Sequence, residues 1–362
     1  MSLTDADVRA ALSQIVDPNT GKDLVAGKST RNIRVDGSDI SVDVELGYPA
    51  KSQIDPIRRE VIAKLRALPG AGNVSANVYQ KIVAHAVQRG VKTLPNVKNI
   101  IAIASGKGGV GKSTTAVNIA LALAAEGASV GVLDADIYGP SQPTMLGISG
   151  KPESRDGKSL EPMVGHGVQA SSIGFLIDPD TPMVWRGPMV TQALEQLLRE
   201  TNWRDLDYLI VDMPPGTGDI HLTLAQKIPV TGAIIVTTPQ DIALLDARKG
   251  LKMFEKVDVP VLGIVENMSL HQCSNCGHVE HIFGAGGGAA MAKQYEVDLL
   301  GALPLDIRIR EGVDNGKPTV AVEPDSAAAL EYGEIARRVA AKLARRAKDY
   351  SSRFPNIVIK NS

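Results

Sequence analysis

The chain has few cysteines, almost no net charge and no long apolar run, and each shortage narrows what it does. Its two cysteines, among 362 residues, have two residues between them, which reads as a ligand or redox pair before a structural disulfide. The formal charge is -1, so no global basic field exists to hold a nucleic-acid backbone, and DNA or RNA is not expected as the main partner. No apolar run reaches the roughly 18 residues of a spanning helix, so no membrane span is expected. The opening MSLTDADVRA is acidic and polar and does not read as a secretory signal. The expectation is a soluble, cytoplasmic protein. Its length exceeds the roughly 100 to 200 residues of one domain, so two are expected.

Residues 1–82 predict a small α+β unit of order α-β-β-α-β. Its pieces are a helical start over 5–15, the turn Asp17-Pro18-Asn19, alternation at 33–35 and 40–46, a helical stretch over 54–68, and a strand over 74–78. Alternation marks strands because successive strand side chains face opposite sides of a sheet. With no cysteine in it, this unit reads as a structural or partner-binding module. Residues 83–96 read as a linker. From Val97 onward, apolar runs at 100–104, 130–133, 208–211, 233–236 and 261–265 are separated by longer helical segments, as buried parallel strands covered by helices require. The expectation for 97–348 is an α/β domain, a mostly parallel sheet flanked by helices. An irregular insertion is expected between 147 and 188, a basic helix over 327–348, and a tail over 349–362.

Directly after the first of these strands stands Gly106-Lys107-Gly108-Gly109-Val110-Gly111-Lys112-Ser113-Thr114, which matches G-x-x-x-x-G-K-[ST]. The glycines let backbone amides converge on phosphate oxygens, and a following helix adds the positive end of its dipole. Lys112 is expected on the β and γ phosphates and Ser113 on magnesium. Asp136 in DADIYGPS and Asp212 in DMPPGTGD stand at carboxyl ends of strands, where an open α/β sheet places ligands. Asp212 reads as the carboxylate near magnesium, and Asp134 as a loop-capping residue, with Asp136 the site residue of that motif. The guanine-reading N-K-x-D pattern is absent, and Glu266-Asn267-Met268-Ser269 follows a strand instead, which favours ATP.

Cys273 and Cys276 lie in His271-Gln272-Cys273-Ser274-Asn275-Cys276-Gly277-His278, close enough to bind one metal centre. A four-iron cluster needs about four thiolates and one chain supplies two, so a centre shared across a two-fold axis is expected. Spacing alone leaves three chemistries open: iron and sulfur, zinc (bridging a dimer or recruiting His278 and His281), and a dithiol switch.

The GKGGVGKS form, with Lys107 inside the loop, resembles the deviant Walker A motif of the MinD, ParA, ArsA and nitrogenase iron protein group. The resemblance implies that Lys107 reaches the nucleotide of a facing subunit, much as an arginine finger does. It also implies that Asp136 orients the attacking water and that Asn267 contacts adenine. The full set is GKGGVGKST, DADIYGPS, MVWRGPMV (183–190), VDMPPGTGD, ENMS and C-x-x-C-G followed by Ile282-Phe283-Gly284. Together these motifs resemble the Mrp/ApbC family of iron-sulfur cluster carrier ATPases over 97–335. What this implies is a P-loop NTPase homodimer with ATP and magnesium at 106–114, Asp136 and Asp212. A labile iron-sulfur cluster, 4Fe-4S in type, would bridge two subunits on Cys273 and Cys276 and pass to apo-proteins during slow ATP hydrolysis. Scaffold or donor proteins would be further partners.

The first segment, with Asp17-Pro18, Gly21 and Tyr48-Pro49-Ala50, looks like the small domain that iron-sulfur assembly proteins often carry in front of this ATPase. Relatives often have cysteine just after the Pro-Ala. Lys51 stands there in this chain, so the small unit is expected to dock a partner or donor and not to bind metal. A MinD-like membrane role or a ParA-like DNA role rests on the basic helix alone, which is mostly alanine and lacks bulky apolar anchors.

Overall fold

The computed structural model describes residues 3–177 and 187–348; positions 183–186 of the MVWRGPMV motif and the 349–362 tail lie outside them. In the small unit, α1 (Asp5–Leu12) starts on a Thr4 capping box and turns Val8, Ala11 and Leu12 inward. Strands β1 (Thr30–Asp36) and β2 (Asp39–Leu46) form an antiparallel hairpin, and helix α2 (Lys51–Arg66) carries the chain over to β3 (Val74–Gln80), parallel to β2. Ile40, Val42, Val44 and Leu46 alternate inward on β2 and share a core with Ile57, Val61 and Leu65 of α2. A two-residue ladder, Val16–Asp17 with Lys22–Asp23, adds to the expected order.

The large unit contains β4 (Val97–Ala104), α3 (Lys112–Ala125), β5 (Val130–Asp134), β6 (Met163–Gly165), β7 (Val168–Ser172), α4 (Gly187–Glu200), β8 (Leu206–Asp212) and α5 (Asp219–Lys227). It continues through β9 (Gly232–Thr237), α6 (Asp241–Lys256), β10 (Val261–Glu266), the hairpin β11 (His271–Gln272) and β12 (Val279–Glu280), α7 (Gly287–Gln294), β13 (Leu299–Ala302) and α8 (Ala327–Ala344). The sheet order is β13-β10-β9-β4-β8-β5-β7-β6, parallel throughout except for the β6–β7 edge. Its central strands are apolar on both faces because α3 and α8 cover one face and α4 to α7 the other. Among the described residues no helix is long and apolar enough to cross a membrane.

Two sequence expectations need correction. The insertion over 147–188 is not wholly irregular: β7 extends the sheet beside β5 with Val168 and Ala170 buried, and β6 folds back on it. Its polar Gln169, Ser171 and Ser172 hide the strand from a reading of apolar runs. The basic helix stops at Ala344, short of residue 348, because Lys348 pairs with His85 and the Ala86 amide donates to the Ala347 carbonyl at 3.0 Å. Nor is α8 a free amphipathic surface. Tyr332, Ile335, Ala336, Val339 and Leu343 are buried, and Arg337, Arg338 and Lys342 are held by Glu126, Glu334 and Asp298.

Glu126, at the end of α3, joins the two units. Its carboxylate accepts from the Ser52 amide at 2.9 Å and the Ser52 hydroxyl at 2.7 Å, so a residue of the large unit caps α2 of the small one, whose own N-cap, Ala50, supplies no side-chain bond. It also accepts from Arg337 of α8 at 2.6 Å. Removing one partner of a buried ion pair costs roughly 3 to 5 kcal/mol, because the other charge is left unpaired. Glu126→Ala is therefore expected to lower the unfolding free energy by about that amount, read as a lower urea midpoint, and to expose the 83–96 stretch to limited proteolysis, with Glu126→Gln milder. An unchanged midpoint would remove the junction as a stabilising contact.

Candidate nucleotide site and thiol pair

Between β4 and α3 the backbone curls tightly, and two glycines are dictated by close approach. A Cβ on Gly106 would fall 2.1 Å from the Asp246 carbonyl carbon of α6. Gly111 caps α3 in the left-handed region at φ 83, and a Cβ there would stand 2.1 Å from Nδ2 of Asn267. The helix is buried nearly all round, as expected of a core helix, yet its first residue is a buried lysine. Lys112 Nζ lies 2.5 Å from Asp212 Oδ1, 3.0 Å from Ser113 Oγ and 3.8 Å from Asp136 Oδ2. Desolvating such a pair costs several kcal/mol per ion, so it persists only when hydrogen bonds complete it. Gln142 supplies them, donating from Nε2 to Asp212 Oδ2 at 2.9 Å and to the Ser113 carbonyl at 3.1 Å.

Asp134 lies beside Asp212 in the strand register. It accepts from the amides of Asp136, Ser141 and Gln142 and from the Ser172 hydroxyl, at 3.0 to 3.2 Å. It thus braces the loop that presents Asp136. Burial and the neighbouring Asp212 push the Asp134 carboxyl up. Burial also raises Asp136, against the pull of the Lys112 ammonium. Lys112, Ser113, Thr114 and Asp136 line an open pocket of about 310 Å³ together with Lys107 and Gly108. Ser113, Asp136 and Asp212 offer only oxygen, the donor set magnesium takes, and buried Ser141 Oγ and Gln142 Oε1 have no partner among the described residues. Lys107 is half-buried, and its ammonium takes part in no ion pair or hydrogen bond among the described residues.

Asn267 is placed behind the loop, its Nδ2 donating to the Val110 carbonyl at 2.9 Å. Met268 follows in the left-handed region at φ 57, a conformation that costs a non-glycine residue about 1 to 3 kcal/mol. Next, the Ser269 carbonyl accepts from His281 at 2.7 Å and the Ser269 hydroxyl donates to the Leu303 carbonyl at 3.0 Å. A short strap therefore runs from the phosphate loop to the β11–β12 hairpin that carries the thiols.

Cys273 is half-buried and Cys276 exposed. The Cys273 amide donates to the His278 carbonyl and the Gly277 amide to the Cys273 carbonyl, both at 2.9 Å, so the turn holds the pair on one knuckle. The Cys276 and Asn275 amides, with the Cys276 side chain, hold the Cys273 thiol below its usual range. Among the described residues no group of three or more histidine, cysteine or acidic side chains is placed to hold a metal. Among the described residues, His278 and His281 are thus not gathered with the pair into a one-chain zinc site. Of the residues that shape the pocket, Gln142 carried no sequence signal, since it stands outside the aspartate motif and acts only through contacts made in three dimensions.

Residues 96–340 match a family model described as NUBPL iron-transfer P-loop NTPase, and residues 5–78 match one described as iron-sulfur cluster assembly protein. The chain is 53% identical over 342 residues, 93% of its length and 92% of the relative's, to a Salmonella typhimurium protein named iron-sulfur cluster carrier protein. It is 53% identical over 254 residues, 70% of this chain and 80% of the relative, to a Mus musculus protein named iron-sulfur cluster transfer protein NUBPL. A nucleotide-binding protein of Archaeoglobus fulgidus in complex with ADP superposes with a TM-score of 0.57 at 36% identity, over 65% of this chain and 91% of that one. The cell division ATPase MinD of Pyrococcus furiosus, at 23% identity and a TM-score of 0.51, shares the fold over 67% of this chain and 98% of its own.

The strap yields a direct expectation. Asn267→Ala leaves the buried Val110 carbonyl unpaired, a loss of about 1 to 3 kcal/mol. That loss is expected in the unfolding free energy, and ATP affinity measured by calorimetry is expected to fall by about tenfold as the loop loses its brace. Unaltered affinity would show that the loop holds its shape without this bond.

Proposed function

The chain belongs to the NUBPL iron-transfer P-loop NTPase family, and we propose that it carries iron-sulfur clusters on Cys273 and Cys276 and delivers them to apo-proteins, gated by ATP. The observation that carries this reading is a thiol pair, Cys276 exposed and Cys273 half-buried, without a third ligand among the described residues and strapped to a phosphate-binding loop. A cluster that needs about four thiolates is completed by the pair of a second copy. A site open to solvent at a subunit boundary suits cargo that must leave again. A cytoplasmic setting, where thiols stay reduced, fits both uses.

At the other end of the strap, the loop amides of 108–113 and the dipole of α3 bind the phosphates. Lys112 is poised to leave Asp212 for a phosphate oxygen. Ser113, Asp136 and Asp212 would hold magnesium, which neutralises charge on the β and γ oxygens. Asp136 is assigned to orient the attacking water. Lys107 is assigned to the nucleotide of the facing copy, so hydrolysis and cluster bridging call for the same homodimer. Scaffold or donor proteins and apo-acceptors are its partners.

Lys107→Ala is expected to keep ATP affinity within about twofold while slowing turnover at least about a hundredfold, toward the effect of losing an arginine finger. Cys276→Ala is expected to bind ATP normally but to lose transfer to an apo four-iron acceptor, read as recovered acceptor activity under anaerobic conditions. Transfer that survives Cys276→Ala would overturn the carrier assignment.

A further inference from the structure

The small unit and the end of α8 enclose a seam that none of this chemistry uses. Two hollows of about 410 and 580 Å³ flank the 17–22 loop and share Thr20, Arg345 and Arg346. Together they are lined by nine lysines and arginines against three carboxylates, in a chain whose formal charge is -1. The three acids are already engaged. Asp17 is buried and accepts from the Tyr48 hydroxyl at 2.8 Å, Glu45 pairs with Arg31 at 2.5 Å, and Asp298 pairs with Lys342 at 2.6 Å. Lys22, Lys28, Arg346 and Lys348 have no acidic partner among the described residues, and Arg345 donates to the Thr20 carbonyl at 3.3 Å. All five of these cations are exposed. They come from distant parts of the sequence, and the fold gathers them without pairing them.

We propose that this seam is a docking groove for an acidic, extended segment of a partner protein. The cations lie along both lips of a hollow split by a loop, an arrangement that fits carboxylates spaced along a chain. A single phosphate calls for buried, convergent donors, whereas these are exposed. A nucleic-acid strand calls for aromatic platforms, and the one aromatic in the lining, Tyr48, is buried with its hydroxyl tied to Asp17. A bilayer calls for bulky apolar anchors on a convex face, and the seam is concave. Exposed charges of this kind set association rate and salt dependence more than raw affinity. The inference goes beyond the carrier reading and stands apart from it, since no thiol or phosphate-loop residue lines the seam.

The probe is a fluorescein-labelled peptide alternating glutamate and glycine, titrated with the full chain and followed by anisotropy. Its control carries glutamine in place of glutamate. The peptide is expected to bind, the control not to bind, and affinity to fall steeply as salt rises. The double reversal Lys28→Glu with Arg346→Glu is expected to weaken binding at least about tenfold, while Lys256→Glu, an exposed change outside the seam, leaves it unchanged. ATP affinity of the same variants verifies folding; if the reversal does not fold, Lys28→Gln with Arg346→Gln is expected to give a smaller loss of the same sign. Binding unmoved by the seam variants, or lowered equally by Lys256→Glu, overturns the proposal. So does full competition by inorganic phosphate, or seam-dependent binding of single-stranded DNA or phosphatidylserine vesicles tighter than that of the peptide.

Discussion

The large unit is organised around the contact between Lys112, the first residue of α3, and Asp212, the last of β8. Both groups are withdrawn from water, and the pair is tolerable only because Gln142, Ser113 and Asp136 surround it. It requires β4 beside β8 to aim the helix and β5 beside β8 to set Asp134 against Asp212. Well-packed apolar groups would serve stability as well or better. Charge concentrated at the carboxyl edge of a parallel sheet is explained by what it binds.

From that contact two paths lead outward. Helix α3, about 21 Å long at 1.5 Å per residue, ends at Glu126, which caps α2 and holds Arg337. The small unit is therefore seated on the far end of the phosphate-binding helix, and the basic seam exists because it is seated there. The second path runs through Asn267, Met268 and Ser269 to the thiol hairpin. Both paths are continuous in hydrogen bonds and packing. Nucleotide shifts what lies at their ends only as far as it binds one arrangement better than another.

The phosphate loop was legible in the sequence because its chemistry is local: glycines, lysine and serine at fixed spacing build the cradle from their own backbone. The central strands were legible too, since burial on both faces leaves continuous apolar runs such as 100–104 and 233–236. What stayed hidden depends on distant partners. Gln142 acquires its role from Asp212, Glu126 from Ser52 and Arg337, and nothing near either residue announces it. Strand β7 was masked by its serines, and α8 was read too long because arginine and alanine favour helix while His85 and Lys348 stop it. The thiol spacing pointed to a ligand pair. The fold adds that, among the described residues, His278 and His281 join the pair in no group of three or more such ligands.

The proposal that Cys273 and Cys276 form half of a site shared by two copies is tested most directly by native mass spectrometry of the full chain, reconstituted anaerobically with iron and sulfide. The expected result is a species of two chains holding one four-iron, four-sulfide cluster, absent when Cys273→Ala is treated in the same way. A cluster or single metal ion retained by a lone chain, or one cluster on each chain of a dimer, would contradict it.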